Sequence, residues 1–358
     1  MSSTEFTPRD APTLAVVGGG VIGLTCALAA SDAGWRVRVH DAGPQHRAAE
    51  VAGGMLGCFG EGHPGEDRLL AESADSVARW PSLLERLDDA SIATASDTLL
   101  VAGSAADLRH LDVVADFVRA QRPDAALAPV SASDLRRSEP AFVRSLAGGY
   151  RSDGEGAVDN RRLLAALRRT LAEAGAEFVD AQVGDVSDVD GDQVLLAAGL
   201  DTPALCPGEL DELRGEKGEI LRLRRTSWSV APPKHVIRAR WHGRTVYLVP
   251  RDGGVVIGAT QYEAIDPDDR APQAGGVADL LADACELMPG LRTYELAEAS
   301  AGIRPSTADG LPVVRRLDER VVVATGHGRN GIALAPGTAH RVAGLLAEVR
   351  PANIEEIV

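Results

Sequence analysis

The sequence predicts an α/β protein in which a dinucleotide-binding Rossmann domain is interleaved with an α+β domain built on an antiparallel sheet. Three observations lead to this prediction. Residues 13–41 read as a complete βαβ unit, apolar strands at 194–198 and 321–325 resemble additions to the same sheet, and strands with hairpin spacing follow between 217 and 259. At 358 residues the chain is long enough for two domains, each with its own core.

The βαβ unit begins with an apolar strand at 14–17 and continues through Gly18-Gly19-Gly20-Val21-Ile22-Gly23, which has the spacing G-x-G-x-x-G. A helix follows and ends at Gly34, and a second strand ends at Asp41. Such glycines let the backbone approach a pyrophosphate at the helix N-terminus, and the later acid accepts hydrogen bonds from a ribose. The unit predicts dinucleotide binding without identifying the dinucleotide; a glycine-rich turn in another kind of α/β protein is the alternative.

The remaining elements follow from hydrophobic periodicity and from helix and turn signals. Helices are predicted at 71–87 (broken near Trp80-Pro81), 105–122, 130–139, 161–174, 274–288 and 335–349. Further strands are predicted at 99–103, 177–179 and 296–304, with a hairpin at 148–158. Asp159 is placed to cap the helix at 161–174, and Gly253-Gly254 to turn the chain between two strands of the antiparallel series.

These elements divide the chain into interleaved domains. We expect residues 12–60, 150–215 and 296–348 to form the nucleotide-binding domain, residues 61–149 and 216–295 the substrate domain, and residues 1–11 and 349–358 the tails.

Composition narrows the classes of function. The formal net charge is −15 and no cluster of Lys or Arg stands out, which argues against nucleic acid and anionic membrane surfaces as partners. No apolar run is long enough to span a bilayer, and the polar N-terminus is unlike a signal peptide. The scattered Cys26, Cys58, Cys206 and Cys285 predict neither disulfides nor a metal site. We therefore expect a cytoplasmic protein.

Two stretches have residue types suited to holding a ring or a carboxylate. Residues 52–56, Ala-Gly-Gly-Met-Leu, are small enough for a flat ring to approach the backbone, although an ordinary flexible loop would have the same composition. Tyr247 shares one face of its strand with Val249, so its hydroxyl can donate to a carboxylate if that face lines a pocket. Packing in the core is the alternative interpretation of this tyrosine.

Two further stretches lie near the C-terminus. Arg304 ends a strand and offers a rigid bidentate donor for a carboxylate, whereas a surface ion pair is the alternative. Residues 325–333, TGHGRNGIA, join a strand to a helix, and consecutive backbone N–H groups at such a turn bind anions. A lone histidine such as His327 is more typical of a structural residue than of a catalytic one.

Together, these stretches and the opening unit resemble the flavin amine oxidases, the superfamily of D-amino-acid oxidase, sarcosine oxidase and glycine oxidase, and within it the glycine oxidases of thiamine biosynthesis. The resemblance rests on the order and spacing of VVGGGVIGL, AGGML, VYLVPR, GIRPSTADGLPVV and ATGHGRNGIALAPGT, and it covers residues 13–348.

The resemblance implies a glutathione-reductase-like FAD-binding Rossmann domain. It implies that FAD is bound non-covalently, because residues 299–302, where some relatives attach flavin, contain no cysteine. It implies that Tyr247, Arg304 and Arg329 bind and position the substrate carboxylate. The cofactor contacts that it implies are Gly18, Gly20, Val21, Ile22, Gly23, Asp41, Ala42, Ala48, Ala49, Gly53, Gly54, Met55, Val183, His327, Gly328, Arg329, Asn330, Gly331, Ile332 and Ala333.

The implied reaction is oxidation of glycine or a similar small amino acid or amine to an imine, which hydrolyses to a 2-oxo acid such as glyoxylate and ammonia. Dioxygen is the implied electron acceptor, hydrogen peroxide the second product, and the glycine imine a precursor of the thiamine thiazole. The resemblance also implies a homo-oligomer, in many relatives a tetramer. Gly328 stands where the family usually has an aromatic residue, which predicts a wider pocket open to substrates larger than glycine.

Three alternatives remain at this point. The chain is also compatible with a D-amino-acid, sarcosine-type or secondary-metabolism amine oxidase. An NAD(P)-dependent dehydrogenase would explain the opening unit but would leave the stretches at 52–56 and 325–333 without a role. A non-catalytic flavin-binding or scaffold protein is the third alternative.

Overall fold

The structure is a computed structural model that describes residues 11–349 except residues 44, 46, 265 and 267. The predicted tails therefore lie almost entirely outside the described residues. The strands are β1 Thr13–Val17, β2 Arg36–His40, β3 Ala93–Ala95, β4 Thr98–Ala102, β5 Leu127–Val130, β6 Gly148–Ser152, β7 Ala157–Val158, β8 Glu177–Val179, β9 Gln193–Leu196, β10 Arg214–Arg224, β11 Val236–Trp241, β12 Arg244–Arg251, β13 Gly254–Gly258, β14 Tyr262–Glu263, β15 Glu295–Ser306, β16 Val313–Arg316 and β17 Val321–Thr325.

The α-helices are α1 Val21–Asp32, α2 Ala48–Val51, α3 Asp67–Val77, α4 Trp80–Leu87, α5 Ala105–Gln121, α6 Ala132–Ser138, α7 Asn160–Glu173, α8 Thr202–Leu205, α9 Ala274–Leu287 and α10 Gly331–Ala347. The predicted break near Trp80 separates α3 from α4. The predicted cap of α7 is also confirmed, because the Asp159 carboxylate accepts hydrogen bonds from the backbone N–H groups of Arg161 and Arg162 at 3.0 and 3.1 Å.

Six strands form the sheet that begins with the βαβ unit, in the order β16-β17-β9-β1-β2-β8. All are parallel except β16, which runs antiparallel to β17 at the edge. Leu14 and Val16 of β1 pack in the same core as α1, α7 and α10, whereas Ala15 and Val17 pack in the core on the opposite face. Because both faces are buried, β1, β9 and β17 are continuously apolar, which confirms the predicted parallel sheet.

The second sheet has nine strands in the order β14-β10-β13-β12-β11-β4-β6-β5, with β15 paired to β10. The predicted hairpin is confirmed, because β12 and β13 are antiparallel, but its turn is Asp252-Gly253 rather than the predicted Gly253-Gly254: Gly254 already belongs to β13 and faces Arg251. The edge strand β5 contains Pro129, a residue that a central strand would exclude because it has no N–H to donate.

Two predictions about the pairing of strands differ from the structure. Residues 148–158 do not form a hairpin, because β6 pairs with β4 and β5 whereas β7 pairs with β3. The strand predicted at 296–304 to return to the nucleotide domain is β15, which pairs along β10 in the nine-stranded sheet, from Arg214↔Ser306 to Arg224↔Glu295. Alternation of apolar residues identifies a strand but not its partner, so neither pairing was available from the sequence.

Helix α10 begins at Gly331, four residues before the predicted start, and contains Pro336. Proline has no N–H and interrupts the helical hydrogen bonds around it. At this interruption the buried Ser76 of α3 inserts its hydroxyl, which donates to the carbonyl of Ala333 at 2.7 Å and accepts from the N–H of Gly337 at 2.9 Å. Ser76 therefore holds the N-terminal turns of α10 in place.

No described helix is long and apolar enough to cross a membrane. Likewise, the described residues contain no group of three or more His, Cys, Asp or Glu side chains that could hold a metal ion. All four cysteines are free thiols.

Ser76→Ala tests the insertion into α10. Loss of the hydroxyl leaves the Gly337 N–H buried without a partner, so we expect the free energy of unfolding to fall by about 1–3 kcal/mol in denaturant titrations. Ser145→Ala, at an exposed position, is the control and should change it by less than about 0.5 kcal/mol. Equal stability of the two variants would contradict the bridging role of Ser76.

Candidate active site

The carboxyl ends of β1, β2, β9 and β17 meet at one edge of the six-stranded sheet, where a cavity of about 660 Å³ opens. The turns after these strands line one part of the cavity, and side chains of β11, β12 and β15 line another part. Ligands of open α/β sheets bind at this edge because the loops that follow parallel strands all gather there.

The glycine turn after β1 brings the backbone close to two neighbouring strands. Gly18 has a φ of +119°, and an added Cβ would clash with the carbonyl of Ala197, which follows β9. A Cβ on Gly19 would clash with the carboxylate of Asp41. In contrast, a Cβ on Gly20 would meet no protein atom within 4 Å, so this residue opens directly to the cavity at the N-terminus of α1. The turn is thus a cradle without side chains, which fits a dinucleotide pyrophosphate.

Asp41, immediately after β2, is buried and held by cations that no local sequence pattern predicts. Its carboxylate accepts hydrogen bonds from Arg47 and from Arg168 of α7, the latter at 2.6 Å, and from the N–H of Gly43 at 3.1 Å. Burial raises the pKa of Asp41, but the hydrogen bonds from Arg47 and Gly43 and the two positive charges outweigh it and lower the pKa below its ordinary value. Asp41 is therefore an ionised hydrogen-bond acceptor beside the glycine turn.

Three side chains hold the glycine-rich loop between β2 and α3. The amide of Asn160 donates to the carbonyls of Ala49 and Glu50 at 2.6 and 3.0 Å. Its oxygen accepts from Arg251 at 3.3 Å, and Arg251 also donates to the carbonyl of Gly53 at 2.9 Å. Further along the loop, the carboxylate of Glu155 accepts from the backbone N–H groups of residues 58–60. The loop that was predicted to contact a flat ring is therefore fixed at both ends.

The turn between β17 and α10 lines the cavity through residues 327–332. The first turn of a helix leaves backbone N–H groups without helical partners, which suits an electron-rich ring edge. His327 is 3% exposed and its Nε2 lies 2.8 Å from the hydroxyl of Thr338. Burial lowers the pKa of His327 to about 3, so its ring is neutral and serves to hold the turn.

The nine-stranded sheet contributes two donors that point into the cavity, Tyr247 and Arg304. The Tyr247 ring is enclosed by glycines: a Cβ on Gly53 would lie 2.9 Å from it, and a Cβ on Gly258 would clash with it. The Arg304 guanidinium lies over the Cα of Gly218. Within residues 11–349 as described, neither the Tyr247 hydroxyl nor the Arg304 guanidinium has a hydrogen-bond or ion-pair partner.

Arg329 lines the same cavity but has partners. Its guanidinium lies 2.8 Å from Glu61 and 3.5 Å from Glu66, and Glu61 also pairs with Arg238 of β11. Burial raises the pKa of Glu61, but the charges of Arg238 and Arg329 outweigh it and lower the pKa below its ordinary value. Arg238 and Arg329 therefore share the ionised Glu61 carboxylate, and Arg329 also lies near Glu66, whereas Arg304 has no such partner among the described residues.

The cavity brings together most of the residues predicted to form the site. It is lined by Gly18, Gly20, Val21, Ile22, Asp41, Ala42, Ala48, Ala49, Gly53, Gly54, Met55, Val183, Tyr247, Arg304, His327, Gly328, Arg329, Asn330, Gly331 and Ile332. Gly23 and Ala333 do not line it. A Cβ on Gly23 would clash with the carbonyl of Gly18, and the carbonyl of Ala333 faces Ser76 and Trp80. These two residues shape the turns rather than the cavity surface.

Sequence reasoning missed Glu61, Glu155, Asn160, Arg238 and Arg251. Each is a common residue type at an unremarkable position, and each reaches the site from a different element. Arg238 becomes recognisable only because β11 pairs with β12, which places it directly opposite Tyr247. The glycine-rich loop was a signal that buried polar groups must anchor it, but not which ones.

Known proteins resemble this chain over nearly its whole length. A family model named DAO, described as FAD dependent oxidoreductase, matches residues 13–345. The glycine oxidase of Bacillus licheniformis is 30% identical over 356 residues, covering 92% of each chain. A putative thiamine biosynthesis oxidoreductase ThiO of Rhizobium etli is 32% identical over 337 residues, covering 92% of this chain and 94% of that protein. The crystal structure of glycine oxidase from Geobacillus kaustophilus matches with a TM-score of 0.84 at 29% identity, covering 96% of each chain.

Gly19→Ala tests the cradle. The added Cβ displaces the Asp41 carboxylate, and overpacking of this kind costs about 1–3 kcal/mol, so we expect the affinity for FAD to fall roughly 10- to 100-fold. The ratio of flavin to protein absorbance after purification and dialysis measures this. Gly344→Ala in α10 is the control, because a Cβ there would meet nothing within 4 Å. Full flavin content in Gly19→Ala would contradict the role of the cradle.

We expect the buried His327 to make the folded protein less stable as the pH falls. Its pKa is about 3 in the folded protein and 6.5 ordinarily, so between these values the unfolded state binds one more proton and stability falls as the pH falls. His327→Gln removes this effect, and the melting temperature should then fall less steeply with pH in that window. His340→Gln, at an exposed position of the same helix, is the control. If the melting temperature changed equally steeply with pH in both variants, His327 would not be a buried neutral residue.

Proposed function

The chain belongs to the DAO family of FAD-dependent oxidoreductases and uses FAD as its cofactor, and on this premise we propose that it oxidises the amine of a small α-amino acid. Arg304 and Tyr247 bind the substrate carboxylate at the end of the cavity beyond residues 53–55. The product is an imine that water converts to a 2-oxo acid and ammonia; with glycine as substrate the 2-oxo acid is glyoxylate. The similarity to glycine oxidase and to ThiO favours glycine over other amino acids and a role in making the thiamine thiazole.

The observation that carries this proposal is the unpaired guanidinium of Arg304. The chain has an excess of acids, yet within the described residues no carboxylate reaches Arg304. A partly buried cation without a counter-ion favours an anionic ligand, and the planar guanidinium matches a carboxylate with two parallel hydrogen bonds. The alternative interpretation of Arg304 as half of a surface ion pair has no support in this geometry.

Tyr247 supplies a second donor beside Arg304. Burial raises the pKa of Tyr247, and this outweighs the positive charge of Arg304, so the hydroxyl stays protonated and can donate to the carboxylate. Two donors from different strands fix the carboxylate in position and orientation. The substrate Cα–H is thereby held at a constant place relative to the loop at residues 53–55 and the turn at residues 327–332.

The reaction needs a hydride acceptor and loss of one proton from the amine. Bound FAD supplies the acceptor for the hydride from Cα, and dioxygen then takes the two electrons to give hydrogen peroxide. His327, in the turn that lines the cavity, is not a base for the amine proton, because its ring is buried against Thr338. We therefore propose that the amine is deprotonated before it binds and that the protein acts by positioning it.

Arg304→Gln tests the proposal. Loss of a charge-assisted carboxylate contact worth about 1.5–3 kcal/mol should raise KM roughly 10- to 100-fold, and Arg304→Lys should recover part of this. Release of hydrogen peroxide by the FAD-loaded protein, with glycine, sarcosine and D-alanine as substrates, measures it. Arg137→Gln, which removes a surface partner of Asp134 at 2.6 Å, is the control and should leave KM unchanged.

Two outcomes would contradict the proposal. If the FAD-loaded wild type oxidises none of a wider panel of amino acids and amines, the assigned reaction is wrong. If amines are oxidised but Arg304→Gln leaves KM unchanged for each of them, then Arg304 does not bind the carboxylate.

A further inference from the structure

The cavity wall formed by β11 and β12 carries a second pair of polar residues beyond Tyr247. Arg238 lies directly opposite Tyr247, and Arg240 directly opposite Thr245. Residues two apart in a strand share a face, and all four residues line the cavity. Two residues of strand span about 7 Å, so the second pair lies about that far from the first along the wall.

Arg240 is the cation of this second pair, and its ion pair with the buried Asp107 is long. The nearest Asp107 oxygen lies 4.0 Å from its guanidinium, and about a third of the Arg240 side chain is exposed. The short hydrogen bonds to Asp107 come instead from the hydroxyl of Ser104 and from the N–H groups of His242 and Gly243 at 2.7 to 3.1 Å, although the charge of Arg240 helps to lower the pKa of Asp107. Arg238, in contrast, donates a hydrogen bond directly to Glu61.

Two histidines lie on the same part of the cavity. The rings of His63 and His110 are 6.4 Å apart, and both residues line the cavity together with the buried Leu111. Burial lowers the pKa of His110, the positive charges of Arg240 and His63 lower it further, and the negative charge of Asp107 opposes them in part, so all four groups lie within electrostatic reach of one another. A neutral imidazole retains one N–H donor, so the region offers donors in addition to the guanidinium.

We propose that Arg240, with His63 and His110, forms an outer subsite for a second carboxylate of the substrate. This inference rests on the proposed function, in which Arg304 and Tyr247 hold the first carboxylate. The preferred substrates are then amino acids with two carboxylates, one on Arg304 and the other on Arg240, with the amine between them. An amino acid with one carboxylate binds in the same way but leaves Arg240 in contact with water.

A binding measurement on the FAD-loaded protein tests the subsite without any turnover. Carboxylates that cannot be oxidised are titrated while the visible spectrum of the flavin is followed, with succinate compared with butyrate and glutarate compared with valerate. We expect each dicarboxylate to bind about tenfold more tightly than the monocarboxylate of the same length.

Three variants test whether Arg240 causes the preference for dicarboxylates. Arg240→Gln should reduce the tenfold preference to about twofold or less while leaving the affinity for butyrate unchanged, and Arg240→Lys should retain most of it. Arg224→Gln is the matched control, because Arg224 is also a strand arginine but lies outside the cavity and pairs with Glu295 at 2.6 Å. This control should keep the full preference.

The outcomes distinguish this inference from the function on which it rests. If the wild type oxidises glycine and binds butyrate as tightly as succinate, the outer subsite is wrong and the proposed function stands. If Arg240→Gln weakens the binding of butyrate and of succinate equally, Arg240 has a structural role and the proposed subsite is wrong. If no carboxylate perturbs the flavin and no amine is oxidised, both are overturned. A preference that disappears only in Arg240→Gln supports the subsite.

Discussion

The architecture of the site depends on how closely the turn after β1 approaches its neighbours. Gly18 lies against the carbonyl of Ala197 and Gly19 against the carboxylate of Asp41, with no room for a Cβ at either position. Because β1 lies between β2 and β9 in the sheet, this approach brings three strand ends to one point. The N-terminus of α1 faces the cavity there, so a pyrophosphate can reach backbone N–H groups that no side chain covers.

Charge compensation distinguishes the two ends of the cavity. At the end beside the glycine turn, Asp41 is surrounded by Arg47 and Arg168, so that a buried carboxylate stays ionised. At the other end the balance is reversed, because Arg304 has no carboxylate partner within the part of the chain that the structure describes. Burying an uncompensated cation is costly, and a ligand that carries the missing negative charge removes this cost. Arg240 differs from Arg304, because Asp107 lies 4.0 Å from it and about a third of its side chain is exposed to solvent.

The glycine-rich loop links the two ends, and buried polar groups determine its path. Asn160, the first residue of α7, bonds to Ala49 and Glu50 of the loop and accepts from Arg251 of the nine-stranded sheet. It thus connects a helix of one sheet to a strand of the other through a loop that has little side-chain packing of its own. Unpaired backbone groups in such a loop would be destabilising, and these contacts explain how so many glycines can be ordered.

The sequence by itself determined the βαβ unit, the parallel sheet and the capped helix after Asp159, because these depend on local periodicity and on turn and capping residues. The resemblance to flavin amine oxidases supplied most of the residues that line the cavity and joined Arg304 and Tyr247 in one predicted site. Only the tertiary structure decided that β15 pairs with β10, that Arg329 pairs with Glu61, and that no carboxylate of the described residues reaches Arg304. Pairing between distant segments depends on three-dimensional packing, which local patterns in a single chain do not encode.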